Sequence, residues 1–218
     1  MYTFLNEIWY AFGNLSDFCF KGENMFKKFL LACMVMATFT MQIQAISINE
    51  LNSSPQFKNV YQKSYSYGDG SIQNKLISYL NTYSVESLEY AAPHYKLKGT
   101  FYAVYETPRS TSITEYELTA TYDTNYSLGS LIQAMNLVKP SPSMYAVIKA
   151  AQDQSGIQIE LREVKRYNVD GTEVISKVPL VHQLRPLDRG RFDEDLFAVA
   201  DAMFAVAYQQ HFDDIVVK

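Results

Sequence analysis

Apolar and polar residues alternate with period two along KLKGTFYAVYE (96–106) and SITEYELTATYD (112–123). In the second stretch Ile113, Glu115, Glu117 and Thr119 alternate with Thr114, Tyr116, Leu118 and Ala120, giving one apolar face and one wet face. Both stretches are rich in aromatic and β-branched residues, and TPRST lies between them as a loop, so the pattern predicts an antiparallel hairpin. A second block follows, in which MYAVIKAAQ (144–152) turns through Asp153–Gly156 into IQIELREVKRY (157–167). Asn168-Val169-Asp170-Gly171 returns the chain through TEVISKV, and Asp-Gly between alternating runs is a strong hairpin signal. Met144–Ala151 is taken as a strand, although its apolar residues on both faces also allow a helix.

Helical spacing is expected elsewhere. Ser54-Pro55 reads as an N-cap with proline at the first helical position, opening a short helix through Phe57, Val60 and Tyr61. Ile72, Leu76, Ile77, Tyr79, Leu80 and Tyr83 share a stripe behind a cap at Asp69 or Ser71. Ser127 caps a helix carrying Leu128, Leu131, Ile132 and Met135, stopped by Pro140. The last element, FDEDLFAVADAMFAVAYQQHF (192–212), opens with Asp193, Glu194 and Asp195 at the positive end of its dipole. Only Asp201 is polar between Leu196 and Tyr208, which predicts a buried, Ala-rich C-terminal helix close to the sheet. The expected fold is α+β: an antiparallel sheet of about five strands in two hairpin blocks, packed against amphipathic helices.

The N-terminal pattern is different. MFKKFLLACMVMATFTMQIQA (25–45) places Lys27-Lys28 before an apolar run from Phe29 to Phe39 and ends in Ala45. The run is shorter than the roughly 20 residues a membrane span needs, and its order is that of a secretory signal cut after Ala45. A lipid-modified Cys33 after Leu30-Leu31-Ala32 would leave only Phe29–Ala32 as the apolar region, so lipoprotein anchoring is disfavoured. Residues 1–24 are read as an upstream extension, because Lys21-Gly22-Glu23-Asn24 can be encoded by a ribosome-binding sequence ahead of a start at Met25. The working domain is then 46–218, with no membrane span after cleavage.

Composition narrows the function classes. The net charge is -4, which disfavours general nucleic-acid binding. Both cysteines, Cys19 and Cys33, precede the cut, so the exported domain has no thiol nucleophile or thiolate metal site. The chain carries 17 tyrosines, which suit half-exposed strands as well as a glycan-binding face. No Gly-x-Ser-x-Gly elbow, phosphate loop, dinucleotide fingerprint, His-Glu-x-x-His or EF-hand loop is present. No cofactor, metal ligand or catalytic residue is assigned.

The most charged stretch is HQLRPLDRGRFDED (182–195). His182, Arg185, Asp188, Arg189 and Arg191 are the candidate binding residues, because arginine forks suit carboxylates and phosphates and extended loops often carry binding groups. The competing reading pairs these arginines with Asp188, Asp193, Glu194 or Asp195 to fasten the loop. His211 with Asp213 and Asp214 is read as a solvated terminus, Arg162–Arg166 as the wet face of a strand and His94 as a loop residue. The expected function is that of an exported, periplasmic or secreted, non-catalytic domain that binds or assembles with an envelope or extracellular protein or glycan. The alternative is a small hydrolase or lyase with a pocket between sheet and last helix, using His182 or His211 with Asp188 or Asp201. A homo-oligomer joined through the last helix is the third reading.

Overall fold

The computed structural model describes residues 46–67, 72–138, 142–174, 181–189 and 193–217. The expected extension and signal at 1–45, the caps Asp69 and Ser71, Pro140 and Arg191 lie outside the described residues. Helix α1 (Ile48–Ser53) precedes the meander β1 (Phe57–Tyr67), β2 (Ile72–Ala91), β3 (His94–Glu106) and β4 (Thr111–Asp123). A 3-10 turn (Thr124–Tyr126) leads to α2 (Leu128–Asn136) and α3 (Met144–Asp153). The chain continues through β5 (Ile157–Asn168), β6 (Glu173–Val174), β7 (Val181–Pro186) and α4 (Glu194–Tyr208) to a 3-10 turn at Phe212–Asp214.

The sheet is antiparallel with neighbours in the order β1-β2-β3-β4-β5. The outer edge of β5 is shared, with β6 pairing near Arg166 and Tyr167 and β7 pairing from Gln158 to Arg162. The α+β class is therefore observed, but with seven strands among the described residues rather than about five. Four differences account for this. The segments expected as helices at 55–61 and 72–83 are β1 and β2, and the expected loop at 182–186 is β7. Met144–Asp153, expected as a strand, is helix α3, with Ser143 accepting a hydrogen bond from Ala146 N as its cap.

The apparent helical stripe in β2 comes from burial on both faces. Leu80 faces the core under α4, with Leu97, Phe101, Leu118, Tyr122, Ile159, Val199, Met203 and Phe204. Ile77 and Tyr79 point to the opposite face, where Phe57, Tyr102, Val104, Ile113 and Tyr167 enclose Ile46 and Leu51 beside α1. A strand buried on both sides has apolar residues at both parities, so alternation disappears and i, i+4 matches arise by coincidence.

Helix α4 lies across the first face. It buries Leu196, Val199, Ala200, Ala202, Met203 and Phe204, while Phe197, Asp201 and Ala205 are half-buried and Val206 is exposed. Gly99 in β3 gives the helix room, because a Cβ there would stand 3.2 Å from Met203 Cε. Tyr122, fully buried, donates its hydroxyl to the Ala200 carbonyl at 2.7 Å, and burial raises its pKa well above the ordinary phenol value. Its polar end is thereby satisfied inside the core.

The wet strand expected at 162–166 contains a buried charge. A bulge at Val164 exposes that residue and keeps Glu163 on the α4 side, 1% exposed. Arg166 Nε and Nη2 reach the two Glu163 oxygens at 2.7 and 3.0 Å. Removing one partner of such a pair leaves an uncompensated charge, so Arg166→Ala should cost about 2–3 kcal/mol in urea unfolding. Glu163→Gln, which keeps the shape without the charge, should cost less; equal losses would show that packing rather than the charge dominates.

Candidate functional site

Strand β7 ends at Pro186, and the next residues fold back towards α4. Arg185 forks onto Asp193, with Nη1–Oδ2 at 2.6 Å and Nη2–Oδ1 at 2.7 Å. Asp193 is 6% exposed and also accepts the Asp188 backbone N–H at 3.0 Å. The Arg185 guanidinium holds the Asp193 carboxyl below the usual carboxylate range, against the opposing effect of burial. Arg189 is more deeply set, its side chain 8% exposed. It meets Asp213 at 2.7 Å, donates to the Tyr126 and Ser155 carbonyls at 3.1 and 3.0 Å, and lies over the rings of Phe197 and Phe212. Burial pushes its pKa down, and the Asp213 charge opposes that shift.

Both described arginines of the predicted site are thus turned onto internal carboxylates. His182 is exposed on β7, facing Leu161 across the β5 pairing, and Asp188 is half-buried. The four described candidates do not converge on a shared opening; Arg185 and Arg189 instead fasten the β7–α4 connection. The partner of Arg189 was not among those the sequence offered. Asp213 lies at the C-terminal turn, where solvated charges were expected.

Asp201, near the same end, is also engaged. His211 Nδ1 lies 2.5 Å from Asp201 Oδ2, and Asp201 Oδ1 accepts the Phe212 N–H at 2.9 Å. This pair ties the end of α4 to the turn that follows it. His94 is the first residue of β3 rather than a loop residue, and it lines a cavity of about 370 Å³ at the end of the sheet. Asp123, Tyr126, Asp153, Gln154 and Gln158 share its wall, as does Gly156, whose positive φ of 71° and close neighbours leave no room for a Cβ. His94 Nδ1 stands 4.0 Å from Asp123 Oδ2, beyond hydrogen-bond distance, and Asp123 accepts from Asn125 instead. His182, Asp188, Asp201 and His211 are not among the residues that line this cavity. Among the described residues no cluster of three or more metal-ligating side chains occurs.

A different surface is chemically distinct. The helical hairpin α2–α3 is held at its root by the C-terminal segment: Leu128 N donates to Asp213 Oδ1 at 3.1 Å, Ser127 Oγ donates to the Ile215 carbonyl at 2.7 Å, and Val217 N donates to Ser130 Oγ at 3.0 Å. Around the connection between the helices, Leu137 is 80% exposed, Val138 55%, Met144 60%, Tyr145 75% and Ile148 46%. Met144 and Ile148 are one helical turn apart and Tyr145 lies between them on the same side, so the apolar surface is continuous. Sequence periodicity gave α2 an apolar stripe at Leu128, Leu131, Ile132 and Met135, which is half-buried, and read 144–152 as a strand; the exposed apolar residues are those that follow α2 and open α3. No helix among the described residues is long and apolar enough to cross a membrane.

The chain matches no family model, no curated protein and no solved structure.

The fastening role of the arginines gives two measurable outcomes. Arg189→Ala should destabilise the protein by about 3–5 kcal/mol, and Arg189→Lys should restore little, since an ammonium cannot reproduce the fork or the ring stacking. Because the Asp193 carboxyl is held down in the folded state, its contribution is present above the unfolded value near 3.8 and disappears as pH falls through the lower folded value. Stability measured against pH should therefore drop more steeply below about pH 4 in the parent than in Asp193→Asn, whose curve is flatter there.

Proposed function

We propose that this protein is an exported, non-catalytic domain that works by docking onto another component of the cell envelope. The observation that carries this reading is the continuous exposed apolar surface at the α2–α3 tip. Soluble monomers rarely leave such patches uncovered unless they serve association. The arginine segment supports the reading from the other side, because its charges stabilise the fold and do not face a ligand. Export rests on the Lys27-Lys28, apolar run and Ala45 order of the leader. On this reading the sheet and α4 act as a scaffold, and the hairpin presents the functional surface.

A second reading, a small hydrolase or lyase, draws on the 2.5 Å Asp201–His211 pair, an arrangement that orients an imidazole for proton transfer. The cavity at the His94 end of the sheet is not lined by either residue.

Two measurements test the preferred reading. The intact mass of the exported form should correspond to a chain beginning at Ile46, and a retained leader or added lipid would overturn the export assignment. In fractionated cells the parent should be found with the envelope, while the double variant Met144→Ser/Ile148→Ser should move to the free fraction with its thermal midpoint unchanged. Equal distribution of the two proteins would remove the docking surface from the proposal.

A further inference from the structure

The hairpin has a charge character unlike the rest of residues 46–218. From Thr124 to Gln152 there is no aspartate or glutamate, and the only charged residues are Lys139 and Lys149, in a protein of net charge -4. Leu137 and Val138 follow α2, while Met144, Tyr145 and Ile148 lie in the first half of α3, so the apolar residues gather beside the connection. The anchored root lies at the other end of α2, about 13 Å away at 1.5 Å per residue. The apolar residues therefore lie away from the root, in a stretch whose only charged residues are Lys139, next in sequence to Val138, and the exposed Lys149 of α3. An apolar surface of this kind suits shallow insertion into a bilayer interface. Leucine, valine, isoleucine and methionine enter the acyl boundary, tyrosine sits at headgroup level, and lysine stems extend along the apolar surface towards lipid phosphates.

We infer that the α2–α3 tip docks onto the surface of a lipid bilayer that carries anionic headgroups, inserting Leu137, Val138, Met144, Tyr145 and Ile148 to the interface without spanning it. This inference rests on the docking reading above and specifies its partner. The absence of carboxylates is what favours lipid: an anionic surface repels acidic side chains within a Debye length and attracts each basic one. The same composition gives no such preference for an average protein surface.

The experiment uses the protein as exported, with phosphatidylcholine vesicles and vesicles of phosphatidylcholine mixed equally with phosphatidylglycerol. Co-sedimentation at low salt should show a preference for the anionic vesicles of about fivefold, the effect of Lys149 near the surface, and Lys149→Glu should abolish it. Met144→Ser/Ile148→Ser should weaken binding tenfold or more while its thermal midpoint stays unchanged. Tyr145→Trp should give an emission blue shift on adding vesicles, and Tyr83→Trp, on an exposed tyrosine of β2, should not. Vesicle binding that survives the double serine variant, or an absent blue shift at position 145, overturns the lipid inference. If vesicles do not bind and the parent instead self-associates in light scattering through the same two residues, lipid is overturned and the docking reading stands. If neither occurs and the envelope fraction is also unaffected by the double variant, both fail.

Discussion

The buried guanidinium of Arg189 is the constraint on which the arrangement depends. A charge with 8% of its side chain exposed persists in a protein interior when it is paired, most of its donors are matched and its plane is covered; of the Arg189 donors, Nε has no hydrogen-bond partner. Asp213 supplies the opposite charge, Tyr126 and Ser155 supply carbonyls, and Phe197 and Phe212 cover the plane. These partners come from the β4–α2 connection, the turn before β5, helix α4 and the C-terminal turn. One side chain therefore fixes four segments that are distant in sequence. Asp213 also accepts from Leu128 N at the start of α2, so the carboxylate that neutralises Arg189 sets the root of the helical hairpin. The interior ion pair and the external tip belong to one mechanical chain.

Much of the fold was legible wherever one face of an element is buried and the other is wet. Strand β5 alternates buried and exposed along most of its length, and β4 alternates buried and half-buried from Leu118 to Tyr122; the Asp170-Gly171 turn and the Ser127 cap were legible from local chemistry, and the C-terminal helix from its apolar length. Strands β1 and β2 were not legible, because residues such as Ile77 and Leu80 are buried on opposite faces and erase the alternation. Helix α3 was ambiguous for the opposite reason: its exposed positions are apolar, so neither period stands out. Strand β7 was hidden because five of its six residues are exposed and Pro186 ends it. Its place is set by the β5 edge rather than by its own pattern.

The site was less legible than the fold. Sequence shows that arginines stand among acids in 182–195, and Arg185 does choose Asp193, one of the expected partners. It does not show that Arg189 passes over those neighbours for Asp213, a choice made by the chain reversal after α4. The Glu163–Arg166 pair was hidden in the same way, since a single bulge at Val164 decides which face its carboxylate occupies. The signal for the hairpin tip was present as the acid-free stretch from Thr124 to Gln152, but charge absence gains meaning only when the residues are known to be exposed.

That exposure is not required by the fold. Val147 and Ala151 are the buried residues of α3, and Ser143 caps its start. Polar residues at 137, 144, 145 or 148 would leave those contacts intact and would remove apolar surface from water. Single exposed apolar residues are ordinary on protein surfaces and need no explanation. Here five large ones fall between positions 137 and 148, three of them on neighbouring positions of α3, backed by a root that Arg189 and Asp213 hold in place. Folding stability accounts for the root; the exposed residues form the kind of apolar surface that marks association sites.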